Sequence, residues 1–271
     1  MLEFPEAINI AKQLRAAVTG RTICSVLPPA KAHKFCWFNG DPDDYSPQLS
    51  GAKLLSAEGF GIFAELELDN GKKLCFNDGV NVRLVNETPK NYQLAILLDD
   101  GSVLAFSVAM YGGIILHDGS YDNNYYIRSR EFLPYFSSEF DEYFHRLLSE
   151  SKPNLSAKAF LATEQRFPGI GNGVLQDILF EARIHPKRKL STLDNSDKAL
   201  LLESVNRVLR EMTERGGRDT EKDLFGNVGG YKTKMSKNSC GAGCPVCHGE
   251  ITKEAYLGGS VYYCSSCQPL K

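Results

Sequence analysis

The sequence of 271 residues lacks any apolar run long enough to cross a bilayer, which takes about 18–20 consecutive residues. Its first segment, MLEFPEAINIAKQLR, carries charges too early and too often for a secretory signal. It also lacks an excess of charge of either sign, because 31 Lys and Arg stand against 33 Asp and Glu for a net charge of −2. We therefore expect a folded, cytoplasmic protein without a membrane span, less basic overall than nucleic-acid-binding proteins usually are.

Positive charge is nevertheless concentrated in two places. The segment RIHPKRK at residues 183–189 contains no acidic residue, and lysines outnumber acidic residues from Gly230 onward. A polyanion can bind such a face while the rest of the protein stays acidic. Charge alone indicates an ordinary solvated patch equally well.

The chain has eight cysteines, and four of them form two C-x-x-C pairs near the C-terminus. Sixteen residues separate the pairs Cys244/Cys247 and Cys264/Cys267. Two such turns can place four thiolates at the corners of a tetrahedron, which is the geometry of a zinc ribbon. Four protein ligands close the coordination sphere, so we predict one structural Zn²⁺; redox-active or unpaired thiols are the alternative.

Hydrophobic periodicity divides the chain into a β-rich part and a helical part. A helix is predicted between Pro5 and Gly20, followed by β-rich runs around the turns 69–71 (DNG) and 99–101 (DDG). Such turns favour antiparallel hairpins, so we expect a β-sandwich with the first helix packed near it. The aromatic and polar stretch 121–134 is predicted to be irregular and to mark a domain boundary.

Four helices are predicted after that boundary. Their expected starts are Ser138, Ser156 and Asn172 as N-caps and Ser196 for the last, which should end at the glycines after Arg215. The fold class is therefore α+β, and the predicted domains are 1–131, 132–228 and 229–271.

A glycine-rich segment, PGIGNG at residues 168–173, opens the third of these helices. It is similar to a dinucleotide-binding fingerprint, but it follows a predicted helix instead of a strand, so that interpretation fails. A helix–two-turn–helix arrangement fits better, because glycines let the backbone approach a phosphate and the next helix offers free N–H groups. A purely structural helical hairpin explains the motif equally well.

Three segments together resemble the Fpg/Nei family of base-excision DNA glycosylases (formamidopyrimidine-DNA glycosylase and endonuclease VIII). They are MLEFPE at the start, KAFLATEQRFPGIGNGVLQDILFEARIHP in the middle, and the cysteine pairs ending in CSSCQ. The resemblance implies a helix plus β-sandwich, a helix–two-turn–helix module, a zinc finger, and double-stranded DNA carrying damaged or abasic sites as partner. It implies that Lys158 and Asn172 bind phosphates and that Gly169, Gly171 and Tyr111 contribute to DNA binding.

The resemblance also indicates the catalytic residues. The usual nucleophile of the family is the α-amine of a proline that follows the initiator methionine, and here that position is Leu2. The nucleophile would then be the N-terminal amine of Leu2, or of Met1 if the bulky leucine prevents methionine removal. Glu3 is expected to act as the acid that protonates the opened sugar, and Glu6 keeps the family pattern.

Several positions depart from the family pattern. Ile62 stands where the family has a catalytic lysine, and Gly259 stands where it has a phosphate-binding arginine. The loops 77–80 and 109–112 also differ, although Met110 and Tyr111 could fill a gap in the base stack. A second hypothesis is therefore a DNA-binding protein that has lost the chemistry, and a third is a zinc-ribbon protein acting on RNA or protein. Nothing indicates an oligomer, and the preferred lesion cannot be read from the sequence.

Overall fold

A computed structural model describes all residues from 1 to 271 and confirms the α+β class. The chain forms two compact units. The first comprises residues 1–130 together with 221–229, and the second comprises residues 131–220 together with 230–271. The three predicted domains, 1–131, 132–228 and 229–271, stay a prediction.

The first unit contains three helices and nine strands. In chain order they are α1 (Phe4–Val18), β1 (Ile23–Leu27), β2 (Cys36–Phe38), α2 (Tyr45–Leu49), β3 (Leu54–Phe60), β4 (Phe63–Leu68), β5 (Lys73–Asn77), β6 (Val80–Val85), β7 (Leu94–Leu98), β8 (Val103–Val108), β9 (Gly112–His117) and α3 (Asn124–Arg130). The strands form two sheets, in the orders β1-β7-β8-β6 and β2-β9-β5-β4-β3.

Helix α1 begins at a reciprocal capping box and packs one face against the sandwich. Glu3 is the N-cap, its side chain and that of Glu6 each accept a hydrogen bond from the other residue's backbone N–H, and a proline lies in the first turn. The buried face includes Ile10 and Leu14. The helix approaches β3 closely, because a Cβ atom on Gly59 would lie 2.4 Å from the Ala7 carbonyl oxygen. Glycine is therefore required at position 59.

The β-rich runs contain more strands than their turn residues indicated. The DNG and DDG turns join β4 to β5 and β7 to β8 as expected. Two of the β-rich runs also contain a turn of their own. One run turns at Gly61, between β3 and β4, and the other turns at Gly79, between β5 and β6. Residues 73–85 thereby supply strands to both sheets, and this crossing builds the sandwich core between them.

The stretch 121–134 was predicted to be irregular, and this prediction is wrong for its middle, where α3 lies. Asn123 caps this helix, because its side-chain oxygen accepts hydrogen bonds from the backbone N–H groups of Tyr125 and Tyr126 at 3.0 Å each. Tyr126 then packs into an apolar cluster on the outer face of the five-stranded sheet. Packing of aromatic side chains stabilises α3, although its polar sequence does not predict a helix.

The second unit contains four helices and one hairpin. They are α4 (Ser138–Glu150), α5 (Ala157–Ala162), α6 (Val174–Glu181), α7 (Asn195–Glu214), β10 (Thr252–Tyr256) and β11 (Gly259–Tyr263). None of the helices of the chain is both long and apolar enough to cross a membrane.

The predicted caps of these helices have mixed outcomes. Ser156 caps α5 as expected, with its hydroxyl accepting from the Ala159 N–H at 3.2 Å. The cap of α4 is Ser137 and not Ser138, because the extended Ser137 aims its hydroxyl at the Phe140 N–H. Asn172 does not cap α6, which begins after Gly173 without a side-chain cap. Helix α7 is capped by Asp194 and ends before the two glycines, within one residue of the expected bounds.

Candidate functional site

Two buried carboxylates lie at the start of the first unit. Glu3 and Glu6 are almost fully buried, and the Glu3 N–H donates to Glu6 Oε2 at 3.3 Å. Their position at the N-terminus of α1 places negative charge where unpaired N–H groups and the helix dipole stabilise it. The sequence-predicted pair is thus brought together beside the chain terminus.

The first two nitrogens of the chain have different partners. The Met1 ammonium forms an ion pair with the Glu221 carboxylate, whereas the Leu2 N–H donates to the Asp78 carbonyl oxygen at 2.6 Å. The Leu2 side chain is buried in the sandwich core. In a chain that begins at Met1, the Leu2 nitrogen is an amide without nucleophilic character, so the α-amine at this place is that of Met1.

Asp78 is a functional candidate that the sequence did not reveal. Burial, aided by the charge of Glu3, raises the pKa of its carboxyl group to about 6, although the N-terminal ammonium opposes this rise. Asp78 lies in the turn that Gly79 closes, and the Gly79 N–H donates to the Tyr111 carbonyl oxygen at 3.0 Å. Tyr111 therefore lies beside the acidic residues Glu3, Glu6 and Asp78, which we call the acidic cluster. Burial raises the pKa of the Tyr111 hydroxyl group.

Ile62 belongs to a different apolar cluster from Leu2. It occupies the β3–β4 turn and is buried among aromatic side chains on the outer face of the five-stranded sheet, together with Phe60 and Phe63. Leu2 belongs instead to the core between the sheets. The structure therefore supplies a packing role for isoleucine at position 62 and no amine there.

The predicted phosphate-binding residues of the second unit lie around the tip of the β10–β11 hairpin. Lys158 is buried on α5 and its Nζ donates to the Tyr256 carbonyl oxygen, while burial lowers the pKa of its ammonium group. Gly169 has a left-handed backbone, with φ of 93°, inside the two-turn segment. The carbonyl oxygen of Gly171 accepts from the Leu175 N–H at 3.2 Å, which joins the second turn to α6.

Asn172 contacts the hairpin at Gly259, where any side chain would require the Asn172 amide to move. A Cβ atom on Gly259 would lie 2.7 Å from Asn172 Nδ2. Gln176 on α6 fixes the hairpin from the same side, donating to the Ser260 carbonyl oxygen at 3.2 Å and accepting from the Tyr262 N–H at 2.5 Å. Helix α6 and the hairpin are therefore one hydrogen-bonded assembly.

The four paired cysteines form a cluster that could hold a metal ion. Their Sγ atoms all lie within 4.8 Å of one another, with separations of 3.7 Å for Cys244–Cys267 and 3.4 Å for Cys247–Cys264. Zn–S bonds of ~2.3 Å in a tetrahedron imply S–S separations of about 3.8 Å, which these thiols approach. The Gly249 N–H and neighbouring thiols lower the pKa of Cys247 to about 7, whereas burial raises the pKa of Cys264 and of Cys267.

The segment Glu221–Gly229 includes most of residues 223–230 (DLFGNVGG), for which the sequence predicts only a turn-rich approach to the cysteine pairs. It belongs to the first unit, where Leu224 is buried in the sandwich core and Glu221 pairs with the chain terminus. Asp223 accepts from Gln13 Nε2 on α1 at 2.9 Å. The only signal was an unusual composition for a linker, with apolar residues among glycines.

Comparison with known proteins identifies relatives of the whole chain. The family model for the H2TH domain of formamidopyrimidine-DNA glycosylase matches residues 134–223. A formamidopyrimidine-DNA glycosylase of an Exiguobacterium species is 26% identical over 279 residues, with 99% of each chain covered. One from Symbiobacterium thermophilum is 28% identical and covers all of this chain and 90% of its own.

Solved structures share the fold. The crystal structure of the Fpg protein (MutM) of Thermus thermophilus superposes with a TM-score of 0.79 at 22% identity, covering 98% of both chains. The Lactococcus lactis Fpg in complex with DNA that contains an abasic site gives a TM-score of 0.81 at 20% identity, covering 98% of this chain and 99% of that one.

The chain combines a β-sandwich and a capped N-terminal helix with a helix–two-turn–helix domain and four clustered cysteines. These features and the relatives above support the resemblance to the Fpg/Nei family that the sequence implied.

Proposed function

We propose that this protein recognises damaged double-stranded DNA, abasic sites included, and acts in base-excision repair as a DNA glycosylase with abasic-site lyase activity. The observation that carries the proposal is the buried Glu3/Glu6 pair beside the terminal amine, on the scaffold of this family. Relatives along the whole chain are named formamidopyrimidine-DNA glycosylase, and one structural neighbour is a complex with abasic-site DNA.

The chemistry requires an amine that attacks C1′ of the damaged nucleotide. The Met1 amine has to leave Glu221 and lose a proton first, because an ammonium has no lone pair. As the C1′–N bond forms, the bond to the base breaks, and the base leaves with a proton released by the attacking amine. The sugar ring then opens, and a protonated Glu3 gives its proton to the ring oxygen as the Schiff base forms. Elimination of the 3′-phosphate from the resulting Schiff base then cuts the strand, and water releases the amine.

DNA binding in this proposal uses residues of both units. Lys158 and Asn172 would hold phosphates, with Gly169 and Gly171 allowing close approach of the backbone. Tyr111 would occupy the space left by a base that leaves the stack. Gly259 removes one arginine contact of the family pattern, which weakens phosphate binding without abolishing it.

The ion proposed for the cysteine cluster is a single structural Zn²⁺. Cys244, Cys247, Cys264 and Cys267 would be its four ligands, and a hairpin this short gains its folding energy from the metal. Its role would be to hold the hairpin tip beside Lys158. The cytoplasmic location predicted from the sequence stays a prediction.

A second candidate function is lesion binding without chemistry. Two observations favour it: the Leu2 nitrogen is a buried amide donating to Asp78, and Ile62 supplies no amine. This candidate uses the same DNA-binding surfaces and differs only in the absence of a covalent step.

Borohydride trapping on a duplex with an abasic site separates the two candidates. The glycosylase proposal predicts a covalent adduct whose peptide mass places it on the N-terminal residue, Met1 or Leu2, and it predicts that Glu3→Gln slows strand cleavage. Tight, selective binding with no adduct and no cleavage would establish the second candidate. The intact mass of the purified chain shows in the same experiment which residue carries the amine.

A further inference from the structure

Four large apolar side chains are exposed together at one edge of the first unit. Phe35, Trp37, Met110 and Tyr111 are 47%, 52%, 65% and 39% exposed, and we call this surface the aromatic edge. Single exposed apolar residues are common on proteins, but a contiguous group of them usually marks a binding site. Three of the four are aromatic, which suits flat ligands.

Strand pairing holds the aromatic edge in place. Strand β2 lies at one end of its sheet and runs parallel to β9, with Trp37 in register with Gly113. The Gly112 N–H donates to the Phe35 carbonyl oxygen at 3.0 Å. The rings of Trp37 and Tyr111 have centroids 6.3 Å apart. Because Gly113 has no side chain, the register partner of Trp37 contributes nothing that covers the indole.

The segment that leads into β2 is positively charged. Residues 28–40 include two lysines and a histidine but no acidic residue. Lys31 and Lys34 are exposed and form no ion pair, and Lys34 Nζ lies 5.3 Å from the centre of the Phe35 ring. Gln93 fixes this loop by donating to the Lys31 carbonyl oxygen at 3.0 Å. Aromatic faces next to exposed cations are what binds unpaired nucleotides, by base stacking and phosphate attraction.

The aromatic edge continues into the acidic cluster at the chain terminus. The Tyr111 carbonyl oxygen accepts from Gly79, and the charges of Asp78 and Glu3 act on the Tyr111 hydroxyl. A nucleotide on the edge would therefore adjoin the place where the proposed chemistry occurs.

We propose that the aromatic edge binds an unpaired DNA base, stacked on the Trp37 indole, with its flanking phosphates against Lys31 and Lys34. This rests on the proposed function only in taking DNA as the ligand. It adds a preference that duplex recognition does not require, namely for DNA with a single-stranded segment next to the damaged nucleotide.

The chain provides its own reporter, because Trp37 is its one tryptophan. Titration of the full-length protein with a short oligothymidine should quench tryptophan emission saturably, whereas an undamaged, fully paired duplex should not. Equal quenching by both DNAs would overturn the proposal, because the edge would then sense the backbone and not unpaired bases. A change of emission with protein concentration alone would also overturn it and assign the edge to a second copy of the chain.

Substitutions give an independent measurement through the anisotropy of a labelled oligothymidine. We expect Trp37→Ala to weaken binding about ten-fold or more, and Trp37→Phe to restore part of it, since stacking contributes about 1–3 kcal/mol per base. The matched control is Leu55→Ala, an equally exposed residue on β3 at the opposite end of the same sheet. Wild-type affinity in Trp37→Ala would refute the proposal.

The outcome separates this proposal from the proposed function. Binding of an abasic duplex without any response of Trp37 to oligothymidine refutes the aromatic edge and leaves the repair function intact. Quenching and stacking on oligothymidine without selectivity for abasic duplexes supports the edge and refutes the repair function.

Discussion

Glu65 is a buried carboxylate of the first unit with several polar partners. Its buried carboxylate accepts hydrogen bonds from Tyr126 at 2.6 Å and from His117 at 3.1 Å, and it pairs with Arg130. The Gly119 N–H donates to His117 Nδ1, so the proton of a neutral His117 lies on Nε2 and faces Glu65. Burial alone would raise the pKa of Glu65, but these partners outweigh it and lower the pKa to about 2.

This arrangement predicts an acid-sensitive fold. Because folding lowers the pKa of Glu65, its pairing stabilises the protein fully above about pH 4.5 and is lost as the pH falls towards 2. Glu65→Gln should lower the free energy of unfolding at neutral pH by about 3–5 kcal/mol, because it leaves Arg130 without its buried partner. Below pH 4.5, the free energy of unfolding of the variant should fall less steeply with decreasing pH than that of the wild type.

Urea unfolding at a series of pH values measures both effects. Glu67→Gln is the matched control, since Glu67 lies on the same strand but is exposed and accepts only from the Ser56 hydroxyl. That control should change the free energy of unfolding by less than about 0.5 kcal/mol. If Glu65→Gln loses stability below pH 4.5 as steeply as the wild type, the pairing of Glu65 does not cause the acid sensitivity.

Residues that the sequence singled out at close spacing lie together in the structure. Glu3 lies next to Glu6, and the two C-x-x-C pairs, although sixteen residues apart, form one cluster. The sequence did not indicate a role for three further acidic residues, Glu65, Asp78 and Glu221. Their partners are distant in the sequence and become neighbours only when the strands pair and residues 221–229 pack on the first unit.

At the scale of elements, the segment Glu221–Gly229 acts as an additional piece of the β-sandwich unit. The Leu224 N–H donates to Gln13 Oε1 at 2.9 Å, and the Leu224 carbonyl oxygen accepts from the Leu84 N–H at 3.0 Å. Its side chain is fully buried in the core. The segment therefore ties α1 to β6, and through Glu221 it also holds the terminal amine.

Truncation of this side chain should destabilise the first unit. Leu224→Ala is expected to lower the free energy of unfolding by about 2–5 kcal/mol, since it leaves a cavity in a packed core. The neighbouring Phe225→Ala removes an exposed ring and should change it by less than about 0.5 kcal/mol. Thermal and urea unfolding of both variants tests this, and equal stabilities would contradict the assignment of the segment to the core.

The cysteine hairpin is the other element with a direct test. One zinc per chain is expected by metal analysis, and chelation should increase hydrogen exchange in β10 and β11 while the β-sandwich stays protected. Cys244→Ser should lose the metal, whereas Cys240→Ser should keep it, because Cys240 is exposed and outside the cluster. Full metal content in Cys244→Ser would refute the proposed ligand set.

Strand boundaries were the least predictable elements. The DNG and DDG turns identified two hairpins, but the turns at Gly61 and Gly79 sit inside apolar runs that read as continuous strands. Helix α3 was missed because its stabilisation comes from packing of Tyr126 and not from its sequence pattern. Tertiary contacts determine where these strands end and why α3 forms, and the local composition does not reveal those contacts.

At the scale of the whole molecule, the chain contains two compact units that carry different parts of the proposed function. The first unit supplies the acidic cluster, the terminal amine and the aromatic edge. The second supplies the helix–two-turn–helix module and the cysteine hairpin, joined through Gln176. The near-neutral net charge of −2 does not by itself predict the proposed DNA binding, because the basic residues are concentrated locally.

The most direct test of the central claim is a competition binding measurement at modest salt. The purified zinc-loaded protein is titrated with a duplex containing a stable abasic-site analogue and with the same duplex left intact. Lesion recognition predicts that the abasic duplex binds about ten-fold tighter or more. The reason is that the free-energy cost of extruding a paired base, a few kcal/mol, is absent there. Equal affinity for the two duplexes would contradict lesion recognition by this protein.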